Sequence, residues 1–70
     1  MAILGGNIYR LRTEKGLSQE RLAEEAGMHR TFISLIERRG RNVTLGVVEA
    51  IAKVLEVDVP TLLMKFNDEN

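Results

Sequence analysis

The stretch from Leu17 to Asn42, LSQERLAEEAGMHRTFISLIERRGRN, decides the fold. It holds two short helical patterns separated by a glycine. Ser18 suits a helix start, because its side-chain oxygen can accept from the backbone N–H groups that a first turn leaves free. Leu22, Ala23 and Ala26 follow on one face, and Gly27 stands where a short helix needs a left-handed residue to stop. Beyond the turn, Met28 is read as tucking under the corner. The second pattern runs from about Arg30 to Arg38, with Ile33 and Ile36 as its inner edge. At a helical period, Arg30, Thr31, Ser34 and Leu35 fall largely away from those isoleucines, so small, polar and cationic groups project outward together.

The flanks read as helices too. Leu4, Ile8 and Leu11 recur at helical spacing before a Lys15-Gly16 stop, although Gly5 and Gly6 weaken that first helix by about 1 kcal/mol each relative to Ala. Thr44 can cap a fourth helix carrying Val47, Val48, Ile51, Ala52 and Leu55. Asp58 and Pro60 open a fifth with Leu62, Leu63 and Phe66 apolar, after which the acidic tail frays. The expectation is one all-α domain over residues 1–70, a compact five-helix unit.

Composition narrows the chemistry. A chain of 70 residues buries a small core, and extra burial against a partner would help it. With no cysteine and His29 as the single histidine, neither a disulfide nor a thiolate metal site can form, and no cofactor is expected. Nothing pairs a nucleophile with a base, so an enzyme is not expected. No apolar run reaches membrane-spanning length and the opening residues lack the regions of a secretory signal, so the expected location is the cytoplasm.

Ten Lys and Arg balance ten Asp and Glu. Neutrality argues against a polyanionic partner, but the distribution reverses that impression. Residues 29–42 carry Arg30, Arg38, Arg39 and Arg41 against Glu37 alone, whereas the chain beyond them carries Lys53 and Lys65 against Glu49, Glu56, Asp58, Asp68 and Glu69. One region is basic and the far end acidic. In many proteins such a cluster is only a solvated surface.

Over almost its whole length the pattern resembles the Cro and phage-repressor type of helix-turn-helix domain, the XRE family with its lambda-repressor-like fold. Within that group GMHRTFISLIERRGRNVTL is similar to the controller proteins of bacterial restriction-modification systems, which typically show Gly-Leu-His-Arg-Thr-Tyr-Ile, then Glu-Arg, then Arg-Asn. The sequence departs at Met28, where Leu is usual, and at Phe32, where Tyr is usual. The second change removes a hydroxyl and any contact made through it.

The resemblance implies a helix that reads the major groove of duplex DNA. Arg30, at its start, matches the bidentate face of guanine, and Thr31 and Ser34 can bond base edges or phosphates. Leu35 has two readings, a contact with a thymine methyl or a core position. Phe32 also has two, a ring against the sugar-phosphate edge or packing on Met28 or a neighbouring helix. Ser18 and Gln19 open the preceding helix, which lies across the backbone in the family, with Gln19 expected to hold a phosphate. Arg38, Arg39, Arg41 and Asn42 follow the reading helix and suit phosphates or a neighbouring minor groove. His29 is expected to cap or to touch phosphate. Glu37 would be repelled by DNA, and the related fold pairs this position with an arginine on the first helix, for which Arg12 is the match.

So small a domain cannot easily conceal Val47, Val48, Ile51, Leu55, Leu62, Leu63 and Phe66 all within itself, which predicts a homodimer built on those residues. Two such subunits present their reading helices about 34 Å apart and call for a palindromic operator. By resemblance the chain would act on its own promoter and that of the endonuclease, with Glu24 or Glu25 as candidates to meet RNA polymerase. A phage-type repressor or an antitoxin of the same fold remains a second reading, and a helical protein-interaction module a third.

Overall fold

Among the described residues, three helices begin on a side chain that accepts from their own first turn. Ser18 Oγ accepts from Arg21 N at 3.0 Å, Thr44 Oγ1 from Val47 N at 3.2 Å and Asp58 Oδ1 from Thr61 N at 3.1 Å. In the computed structural model, which describes residues 3–39 and 43–65, these caps open α2 (Gln19–Ala26), α4 (Leu45–Leu55) and α5 (Val59–Leu63). The other elements are α1 (Ile3–Glu14) and α3 (Arg30–Arg39), and the described residues contain no strand. None of these helices is long and apolar enough to cross a membrane.

The turn between α2 and α3 is closed by Gly27 at φ 74°. Its N–H reaches Glu24 O at 3.2 Å while Met28 N reaches Ala23 O at 2.8 Å, the paired bonds of a Schellman stop. α4 ends the same way on Glu56, a non-glycine residue at φ 62°, with Val57 N donating to Ala52 O at 3.0 Å. These stops turn the chain sharply. α3 can therefore pack on both α1 and α2, while α4 lies against α2 and α1 and α5 closes over α1 and α4.

The core consists of Leu4, Ile8, Leu22, Ala23, Ile33, Ile36, Val48, Ile51, Ala52, Leu55 and Leu62. This corrects the sequence-based expectation for the dimer surface. Val48, Ile51, Leu55 and Leu62 are buried within the single chain, and Val47 is half-buried against the same cluster. The physical reason is that α4 is enclosed by α1, α2 and α5 at once, so its apolar stripe finds partners within its own chain. Of the expected set Leu63 is exposed, at 53%, and Phe66 lies outside the described residues, as does the acidic tail.

Two residues of α1 carry more than periodicity suggests. A Cβ on Gly5 would stand 2.5 Å from Ile36 O and 2.6 Å from Glu37 O, so the last part of α3 rests on bare backbone there. Gly5 weakens its own helix, and this contact is what it permits. Asn7 is buried and donates from Nδ2 to Leu62 O at 2.8 Å and to Met64 O at 2.7 Å, satisfying carbonyls at the end of α5.

Candidate nucleic-acid interface

Placing the ten residues of α3 at about 100° each gives the angular order Arg30, Ser34, Arg38, Thr31, Leu35, Arg39 around one half of the helix. Phe32, Ile36, Ile33 and Glu37 occupy the other half. Burial follows this division. Arg30, Thr31, Leu35, Arg38 and Arg39 are exposed and Ser34 is half-buried, whereas Ile33, Ile36 and Glu37 are buried and Phe32 leans half-buried on the core. Leu35, at 40% exposed, sits on the outer face and not in the core.

The charge of this face follows from where Glu37 goes. Its carboxylate turns inward, 3% exposed, and accepts from Arg12 Nε at 2.7 Å, from Arg12 Nη2 at 3.1 Å and from Gln19 Nε2 at 3.0 Å. Arg12 Nη1 donates to Leu17 O at 2.8 Å, just ahead of the α2 cap, and the Tyr9 ring lies 5.3 Å from the guanidinium carbon. One carboxylate thus ties α1, α2 and α3 together and is neutralised in doing so. The outer face of α3 keeps Arg30, Arg38 and Arg39, none of them ion-paired to a carboxylate of the described residues.

Gln19 differs from expectation. Its amide is half-buried and committed to Glu37, which leaves one N–H and the carbonyl oxygen for any other partner. Ser18 is exposed while its hydroxyl oxygen caps α2. His29 is exposed at the start of α3, and its backbone carbonyl accepts from Phe32 N at 3.0 Å. Together with Arg30 and Thr31 of α3 it lines an open groove shared with Glu20, Ala23 and Glu24 of α2 and with Met28 of the turn. Arg41 and Asn42 lie outside the described residues.

On the remaining exposed face of α2, Arg21 bonds Glu25, and that carboxylate holds the Arg21 pKa above its ordinary value. Glu24 is exposed beside it. Among the described residues no cluster of His, Asp and Glu could hold a metal ion. Sequence reasoning missed Gly5, Asn7 and Tyr9. A polar Asn7 between Leu4, Ile8 and Leu11 was the signal available for the second.

The sequence pattern described as helix-turn-helix matches residues 8–62. The chain is 48% identical over 63 residues to the control protein C.SmaI of Serratia marcescens, covering 90% of this chain and 75% of that protein. The solved restriction-modification controller protein C.AhdI of Aeromonas hydrophila superposes with a TM-score of 0.81 at 38% identity, covering 86% of this chain and 91% of the other. SinR, a regulator of Bacillus subtilis, is 40% identical over 62 residues, covering 87% of this chain and 56% of that protein. Its structure in complex with DNA superposes with a TM-score of 0.82 at 40% identity, covering 87% of this chain and 98% of the other. With five helices among its described residues, its glycine turn and a third helix whose outer face is exposed, the chain belongs to the helix-turn-helix family of the XRE type, the lambda-repressor-like DNA-binding transcription regulators.

Proposed function

We propose that this regulator works as a homodimer and as a restriction-modification controller protein, acting on its own promoter and on that of the endonuclease. The observation that carries the reading is the cationic outer arc of α3, which bears three arginines and no exposed carboxylate. In this reading Arg30 forks onto a guanine, a contact worth about 1–3 kcal/mol of discrimination. Thr31, Ser34 and Leu35 meet neighbouring base edges, and Arg38 and Arg39 hold phosphates along with Arg41 and Asn42. Ser18, Gln19, His29 and Phe32 stand at the rim of the contact. The similarity to C.SmaI and C.AhdI supports the controller assignment.

The protomers meet through the exposed apolar residues at the α1–α5 end, Ile3, Leu63 and Met64. Glu24 and Glu25 on the outside of α2 are the residues offered to RNA polymerase. The test titrates the protein onto the DNA upstream of its own coding region at two salt concentrations, beside a scrambled duplex. Saturable, salt-sensitive binding of two chains per palindrome is expected. Arg30→Ala relaxes base preference while Arg39→Ala weakens both duplexes alike. Equal affinity for the two duplexes sinks the reading.

A further inference from the structure

Gly5 lies on α1, away from the outer arc of α3, yet its contact bears on how that arc is presented. Its missing side chain lets the backbone of α1 settle on Ile36 O and Glu37 O, in the last turns of α3 and immediately before Arg38 and Arg39. Glu37 is also the residue whose carboxylate is held by Arg12 and Gln19. Backbone and side chain of one α3 residue are therefore located independently, the first by Gly5 and the second by the guanidinium and amide.

We propose that Gly5 is a positioning residue for base recognition: its close approach to Ile36 and Glu37 sets the height and tilt of α3, and with them which base edges its outer face reaches. The proposal rests on the reading of α3 as the recognition helix. Ordinary contact begins near 3.4 Å and the distances here are 2.5 and 2.6 Å, so a methyl group at residue 5 displaces the two helices by most of an ångström. Neither neighbour is a flexible side chain that could swing aside, since both are main-chain carbonyls. A recognition constellation tolerates about 0.5 Å or 10–20° of error before its contacts fail. Pivoting on the Gly27 turn, α3 moves most at its C-terminal end, and as a rigid element it carries more than half of that displacement back to Ser34 and Leu35, enough to reach the tolerance at the base edges they meet. Long, rotatable Arg38 and Arg39 side chains follow phosphates through the same shift, because backbone contacts are electrostatic and carry no sequence information.

The expected signature is a loss of discrimination without a loss of grip. A duplex selected from a randomised pool by the unaltered protein, and a scrambled duplex of the same length, are titrated with the unaltered protein and with Gly5→Ala. Titrations are made at a temperature where far-UV circular dichroism shows both proteins folded. The ratio of the two affinities should fall by about tenfold, the scale of one lost base contact. Affinity for the scrambled duplex and its salt slope should stay within about twofold, the phosphate contacts being kept.

A ratio unchanged in the folded Gly5→Ala protein overturns the proposal and leaves the glycine a packing residue only. Should Gly5→Ala unfold in buffer alone, both proteins are titrated in an excluded osmolyte that favours the compact state, with the same selective fall in the ratio expected. A variant that stays unfolded there overturns the proposal and leaves the glycine a packing residue only. Failure of the unaltered protein to select any sequence from the pool counts against the recognition-helix reading instead, so the two failures are told apart.

Discussion

Replacing Glu37 by Gln removes one charge and keeps the side-chain shape. The carboxylate receives three N–H donors within 3.1 Å, and its side chain and that of Arg12 are only 5% and 9% exposed. An amide in its place turns an NH2 group toward either the guanidinium or Gln19, and strands the Arg12 charge without a counterion. Breaking a buried pair from one side costs about 3–5 kcal/mol. A chain this size holds roughly 4–10 kcal/mol in total, at about 0.05–0.15 kcal/mol per residue. The variant therefore loses a large part of its stability, and at about 4–8 °C per kcal/mol its melting point falls by at least roughly 12 °C. Urea and thermal unfolding followed by far-UV circular dichroism measure both. The double variant Arg12→Met with Glu37→Leu should recover most of the loss, since apolar replacement of a buried pair is close to neutral. A single-variant cost under about 1 kcal/mol, the range of exposed ion pairs, would refute the reasoning.

Four further outcomes are expected. Glu56→Gly relieves a left-handed non-glycine residue at the price of an exposed bond to Lys15, and should raise stability by about 0.5–1 kcal/mol, seen as a melting point several degrees higher. Asp58 is held below its ordinary pKa by the Thr61 hydroxyl and then by the Thr61 N–H. Its contribution is therefore complete above the ordinary carboxylate range and is lost as pH falls through the lowered value. Asp58→Asn, an equally good cap that cannot titrate, should lose less stability between about pH 4 and more acid conditions when melting points are compared. Leu62→Ala should cost about 2–5 kcal/mol in denaturant unfolding. Leu63→Ala should stay within about 0.5 kcal/mol for the protomer yet weaken self-association in sedimentation equilibrium.

What the residues disclosed in advance was local. Ser18, Thr44 and Asp58 can cap only the turn that follows them, and Gly27 can stop only the helix before it, so each was readable from a few neighbours. The outward arc from Arg30 to Leu35 was readable for the same reason, since helical period alone divides it from Ile33 and Ile36. Periodicity does not say which chain covers an apolar stripe. Val48, Ile51, Leu55 and Leu62 therefore looked available to a second subunit until α1, α2 and α5 were seen to enclose them. Gly5 and the bond from Gln19 to Glu37 depend on helices meeting in space, with partners 18 or more positions away, and no local rule announces them.

Asn7 joins residues 55 and 57 positions apart, and that span has a kinetic meaning. A five-residue helix such as α5 is too short to persist alone in water, so it forms only on a surface already assembled from α1 and α4. Its docking comes late and its detachment early, which places the amides near Thr61 to Met64 among those exchanging with solvent by partial opening at a lower free energy than the centres of α2 and α3. If two protomers meet through Leu63 and Met64, as proposed above, each would clamp the other's last-docked helix, and slower exchange at this end would accompany rising protein concentration.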